Sequence, residues 1–288
     1  MEIRKAQRKQ AKIKLALQGP SGCGKTMSAL LLASGMTEWS KIAVIDTENH
    51  SADLYSHLGE YNVLQLDKPF TPERYIKAIE VCEAASMEVI IIDSVSHEWE
   101  GSGGILDLHG NMPGNSFTNW AKMTPRHNAF VQKILESPAH VISTIRTKTD
   151  YTLSEKNGKM VPEKVGLKGI TRDGMDYEFT IVFDLDIKHQ ATASKDRTGL
   201  FADKPEAIIT SEYGTRILQW CNSGTGITDI KNQIQVAGSI EKLRDILRDY
   251  PEFRSQIEPL AVKRKEELHA QIINQTKIGT NGTGKGKK

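Results

Sequence analysis

The octapeptide Gly19-Pro20-Ser21-Gly22-Cys23-Gly24-Lys25-Thr26 constrains this chain more than any other segment. Its G-x-x-x-x-G-K-[ST] pattern has chemical meaning only between a strand and a helix. Residues 12–18 (KIKLALQ) read as a strand and residues 25–36 (KTMSALLLASGM) as a helix, so the context is met. Glycines let the backbone wrap closely around an anion, with successive N–H groups turned inward. The helix N-terminus adds positive potential. Such a loop is expected to cradle the phosphates of ATP, with Lys25 reaching the terminal phosphates and the Thr26 hydroxyl ligating Mg²⁺. Cys23 occupies an unrestricted position of the pattern and needs no redox role.

The segments around the loop predict the fold class. Residues 41–46 (KIAVID) and 88–93 (EVIIID) are short apolar runs ending in Asp, as expected of buried parallel strands. Further strands are expected at 61–66, 139–145, 177–187 and 189–194, with helices starting at Thr71-Pro72 and spanning 119–136 and 212–221. Two long loops remain, 100–118 and 147–173. Alternation of strand and helix predicts an α/β core with a central, mainly parallel sheet flanked by helices. Beyond residue 223 only helices are expected. Ile240, Leu243, Ile246 and Leu247 share one face, and Pro251 and Pro259 break the segment. The expected organisation is a basic extension at 1–11, an ATPase core at 12–223, a helical segment at 224–276 and a disordered Gly/Lys tail at 277–288.

Composition limits the function classes. The net charge of +2 over 288 residues does not announce a nucleic-acid binder, so any such role must rest on local clusters. No apolar run approaches a membrane span, and three scattered cysteines, Cys23, Cys82 and Cys221, lack metal-ligand spacing. A cytoplasmic protein with no membrane partner is expected.

Two carboxylates stand where chemistry needs them. Asp93, at the end of an apolar strand, suits water-mediated Mg²⁺ binding. Glu48, just past the second strand in IDTE, suits either a base that orients attacking water or a solvated loop residue.

The order of phosphate loop, VIDTE and IIIDSV resembles the core of RecA-type recombinase ATPases. That resemblance implies a RecA-like P-loop NTPase fold, Glu48 as catalytic base and Tyr55 as the adenine-stacking residue. It also makes Thr144 the γ-phosphate sensor, where the family usually has Gln. The segment 194–199 (SKDRTG) is similar to the Lys-x-Arg finger of hexameric RecA-fold helicases. By that likeness Lys195 and Arg197 would enter a neighbouring subunit's site in a homo-oligomer. The charged hairpin turn is the alternative reading. The stretches HEWEGSGG, TPRHNAF, IRTKTDY and RDGMDYEF resemble phage-encoded AAA-family ATP-binding proteins of the single-strand annealing and recombination type. In RecA-like proteins the two long loops bind DNA. Here the second carries Lys148, Lys156, Lys159, Lys164, Lys168, Arg172 and Tyr151, diluted by Asp150, Glu155, Glu163 and Asp173, and a solvated loop of mixed charge is the alternative reading. The resemblance thus implies a single-stranded-DNA-dependent ATPase. A helicase or helicase-loader motor, and a slow nucleotide-dependent scaffold, are the alternatives. Its C-terminal helices could recruit a partner such as a single-strand-binding protein.

Overall fold

The computed structural model describes residues 10–156 and 159–280, without the side chains of 150–156, 159–166, 252 and 272–280. The chain divides into two units. One comprises Lys12–Cys221, the other Met1–Ala11 with Asn222–Lys288.

The larger unit is an eight-stranded sheet with helices on both faces. In chain order its elements are β1 (Lys14–Gly19), α1 (Lys25–Ser34), β2 (Ile42–Asp46), β3 (Asn62–Gln65), α2 (Pro72–Ala84), β4 (Val89–Asp93), α3 (Ser96–Glu100), α4 (Ile105–Gly110), α5 (Ser116–Glu136), β5 (His140–Lys156), β6 (Lys159–Gly169), β7 (Ile181–Leu185), β8 (Ala191–Asp196) and α6 (Ser211–Asn222). The strand order is β3-β2-β4-β5-β1-β7-β8, with β6 paired to β5. All pairings from β3 to β7 are parallel, and β8 runs antiparallel to β7.

Strand alternation divides the apolar residues between two cores. Leu15, Leu17, Val44, Ile91 and Ile142 face α1 and α6, packing with Leu30, Leu32 and Ile217. Ala16, Ile45, Ile90, Ile92 and Val141 face α2 and α5, packing with Tyr75, Ile79, Phe130 and Ile134. Burial on both faces is why these strands read as continuous apolar runs. The helices begin where local chemistry allows. Thr71 and Pro72 open α2, and the Asn115 side chain accepts the Phe117 N–H at 2.8 Å to cap α5.

The structure revises both expected loops. Residues 100–118 contain α4 and the first turn of α5. Residues 147–173 hold a long antiparallel hairpin, registered from Thr147 opposite Gly169 to Lys156 opposite Lys159. Its first strand is the uninterrupted continuation of β5.

In the second unit, α7 (Ile227–Gln235), α8 (Ile240–Asp249) and α9 (Arg254–Thr280) surround their own core. Ile230, Ile234, Leu243, Ile246, Ile257 and Leu268 are buried in it. Pro259 does not break the segment. It lies inside α9, flanked by the buried Ile257 and Ala261, whose packing offsets the lost backbone bond. Helix α9 also runs past residue 277 to Thr280, while the rest of the expected tail, 281–288, lies outside the described residues. Most of the basic extension, 1–9, does too. Among the described residues no helix is long and apolar enough to cross a membrane.

Candidate active site

The ends of β1, β2, β4 and β5 meet at a cleft of about 760 Å³. Strand β5 lies between β1, which leads into the phosphate loop, and β4, which ends in Asp93. This order sets the distance between loop and acid, and places the end of β5 between them.

The loop residues Ser21, Gly22, Gly24, Lys25 and Thr26 line the cleft. Gly22 and Gly24 have φ of 79° and 86°, left-handed values that side-chain-bearing residues rarely adopt. Gly19, Pro20 and Cys23 are not among the residues that line the cleft. The Lys25 ammonium donates to the carbonyls of Gly19 at 2.9 Å and Pro20 at 2.8 Å, and Cys23 is buried beneath it. Burial pushes the Cys23 thiol up, which suits an inert packing residue. All three cysteines are buried and unbridged.

Thr26 Oγ1 donates to Asp93 Oδ2 at 2.6 Å. Asp93 is fully enclosed, and burial raises its carboxyl above the ordinary range. These two oxygen donors suit a hard divalent cation that keeps waters and phosphate oxygens as its other ligands. Among the described residues no group of three His, Cys, Asp or Glu side chains could hold a metal unaided. Two further hydroxyls on the cleft wall, Ser51 Oγ and Thr147 Oγ1, have no protein partner, as expected where a polar ligand binds.

Glu48 reaches the cleft because Asp46 folds the chain after β2. The Asp46 carboxylate accepts the N–H of Glu48 at 2.6 Å and of Ala52 at 2.9 Å. Thr47 ties this turn to the end of β4, accepting the Ser94 N–H at 2.8 Å. The Glu48 carboxylate is held by both prongs of Arg146, with Nε to Oε1 at 2.7 Å and Nη2 to Oε2. Arg146 also lines the cleft. The sequence assigned Arg146 no role, although it closes the segment 141–146 that carries Thr144. The pair is separated by 98 residues and only the strand order joins it.

The other expected site residues fall in two groups. Tyr55 lines the cleft together with His57, His189 and Ile208, a mixed aromatic and apolar wall suited to a base. Thr144 does not reach the cleft. It is wholly buried, and its hydroxyl donates to Asp93 Oδ1 at 2.5 Å. Here the Thr144 hydroxyl supports Asp93. Lys195 and Arg197 are also outside the cleft. Lys195 Nζ donates to the carbonyl of Asp176 at 3.0 Å and to that of Tyr177, while Arg197 Nη2 donates to the Tyr177 carbonyl at 3.0 Å. Within one chain they clasp β8 to the turn Met175–Tyr177.

A second cleft, of about 690 Å³, opens beside the base of the hairpin and is lined by Trp99, Trp120, Lys148, Lys168 and Arg172. Trp99 and Trp120 stack at 5.9 Å, and His109 stacks on Trp120 at 4.1 Å. The expected contacts of Tyr151, Lys156, Lys159 and Lys164 involve side chains outside the described residues.

No curated protein matches the sequence. Among solved structures, the chain is similar to a KaiC-like protein from the hyperthermophilic archaeon Pyrococcus horikoshii OT3. The identity is 16%, over 69% of this chain and 92% of that one, with a TM-score of 0.40, too low to add to the argument. The family model described as AAA domain matches residues 11–211. That match takes in the phosphate loop, both strand-end acids, Arg146 and the hairpin, and the chain therefore belongs to the AAA domain family, as a P-loop ATPase.

Proposed function

We propose that this protein hydrolyses ATP in response to single-stranded DNA, acting as an oligomer in recombination or annealing of the phage type. The single observation that carries the DNA part is continuity. Strand β5 delivers Arg146 to the ATP cleft and then runs without a break into the hairpin. The base of that hairpin borders a cleft lined by stacked tryptophans, by Lys148, Lys168 and Arg172, and by the acids Glu100 and Asp173, of which Asp173 pairs with Lys168 at 2.7 Å; the tryptophans with Lys148 and Arg172 suit stacked bases and a phosphate backbone. The phage recombination context rests on the sequence resemblance.

In the reaction, the loop amides and Lys25 hold the triphosphate, and Thr26 and Asp93 would hold magnesium. When bound, the metal neutralises charge on the phosphate oxygens. Glu48 accepts a proton from water as the water oxygen bonds to the γ-phosphorus. The bond from that phosphorus to the bridging oxygen breaks, and ADP leaves with the electron pair. Lys195 and Arg197 would complete a neighbouring subunit's site.

The test is ATP turnover with and without single-stranded DNA, in wild type and Lys25→Ala. Strong stimulation by single strands, lost in Lys25→Ala, is expected. Turnover indifferent to single and double strands would overturn the DNA reading and favour a nucleotide-dependent scaffold. Directional strand displacement would favour a helicase or loader.

A further inference from the structure

The base expected to activate water is engaged by an arginine in this structure. Both Glu48 oxygens are taken by the Arg146 guanidinium. A carboxylate clasped in this way commits one acceptor site of each oxygen to the guanidinium and is fixed in its orientation. Release by Arg146 frees those sites and lets Glu48 turn to an attacking water.

Three observations show where the guanidinium can go. Arg146 stands in register with Gly19, the first residue of the phosphate loop, on the neighbouring strand. It lines the same cleft as Lys25, Thr26 and Asp93. Its backbone is fixed, with the N–H donating to Ser96 Oγ at 2.9 Å and the carbonyl accepting from Ile170 N–H at 2.7 Å. The side chain can therefore swing while its root stays in place. Its planar fork matches a phosphate as well as a carboxylate, so a terminal phosphate in the cleft competes with Glu48 for it. A diphosphate lacks that competitor.

We propose that Arg146 is a catalytic residue that exchanges partners. It holds Glu48 when no triphosphate is bound and turns to the terminal phosphate when one is, releasing Glu48 to the attacking water. The exchange suppresses proton transfer in the absence of substrate and supplies a cation from within the same subunit. Arg146 is also the last residue of β5 before it pairs with β6, at Thr147 opposite Gly169. A ligand drawing on the hairpin acts at the root of this side chain. The proposal rests on the ATPase reading above.

The test is equilibrium binding of ADP and of a non-hydrolysable ATP analogue with magnesium, measured by calorimetry. Arg146→Ala is expected to weaken analogue binding about tenfold and to leave ADP binding within about twofold. Glu48→Gln weakens the competing clasp, so it should tighten analogue binding severalfold without changing ADP binding, even as turnover is lost. Equal losses for both nucleotides in Arg146→Ala, or no change in analogue binding in Glu48→Gln, would overturn the proposal. Should Arg146→Ala fail to fold, the Glu48→Gln result decides alone. Failure of the wild-type protein to bind either nucleotide would overturn the ATPase reading itself, a result distinct from binding with an unchanged preference.

Discussion

Thr26 and Asp93, 67 residues apart, are joined by a hydrogen bond of 2.6 Å between the hydroxyl that starts α1 and the carboxylate that ends β4. Thr144 supplies the second donor to the same carboxylate. Neither bond offsets burial, which raises the Asp93 carboxyl. A folded value above the unfolded one contributes stability that is full at low pH and lost as pH rises through the folded value. Ionisation of Asp93 as pH rises therefore weakens the ligand-free fold.

Asp93→Asn should separate stability from metal-dependent binding. Removing the buried charge is expected to stabilise the ligand-free protein by about 1 kcal/mol, or roughly 2–4 °C in Tm for a chain of this size. The wild type should gain Tm on adding magnesium and ATP, whereas the variant should gain little. Thermal melts with and without magnesium and nucleotide check both halves. A variant that melts lower than wild type without ligand contradicts the stability argument.

His140 predicts acid sensitivity at the opposite end of the sheet. The Ile13 N–H donates to its Nδ1 at 3.0 Å, which requires a neutral ring. Burial, reinforced by Lys12 and Lys14, lowers its pKa from 6.5 to about 3. Between those values the unfolded chain binds a proton that the folded chain refuses, so stability falls as pH falls, by about 1.4 kcal/mol per pH unit. His140→Asn keeps an acceptor for Ile13 and removes this titration. The variant should be less stable than wild type at pH 7.5 and draw level or pass it near pH 5. Urea denaturation at several pH values measures the crossing, and parallel curves would exclude His140 as its source.

The loop glycines should differ in what they tolerate. A Cβ on Gly19 would lie 2.5 Å from Cys23 Sγ and 2.6 Å from the Leu185 carbonyl, so backbone must move. At Gly22 a Cβ would meet nothing within 4 Å, and only its φ of 79° resists substitution. Gly22→Ala should cost about 1 kcal/mol and retain measurable nucleotide binding. Gly19→Ala should lose nucleotide binding and cost several kcal/mol. Titration with a fluorescent ATP analogue and thermal melts compare the two, and equal effects would contradict the contact geometry.

Much of this was legible in the sequence, for identifiable reasons. Strands β2 and β4 are wholly buried, so their runs IAVID and VIIID advertise themselves. The phosphate loop is a local device whose residues are contiguous. The hairpin was hidden because its strands are rich in charged residues, with Pro162, Gly166 and Gly169 in the second. The Glu48 and Arg146 clasp was hidden because it depends on β4 alone separating β2, which leads to Glu48, from β5, which carries Arg146. Thr144 lies two residues before Arg146 on the same face of β5, too far back along the strand to line the cleft. Ser143 and Thr144 are both wholly buried, while Arg146 turns into the cleft.

Lys195 and Arg197 furnish the test of assembly. Within one chain both hold the Tyr177 carbonyl, and Tyr177 itself is 69% exposed, so the clasp lies at the surface. If Arg197 completes a neighbour's site, each site needs Lys25 from one subunit and Arg197 from the next, across a head-to-tail interface. Lys25→Ala and Arg197→Ala proteins should each be inactive alone, with Arg197→Ala still binding ATP. Mixed in equal amounts, random assembly gives about a quarter of interfaces an intact pair, so about a quarter of wild-type turnover should return. Differently tagged subunits verify by co-purification that mixed oligomers form. Mixed oligomers without recovered turnover would remove Arg197 from the site and leave it as the surface clasp seen within one chain.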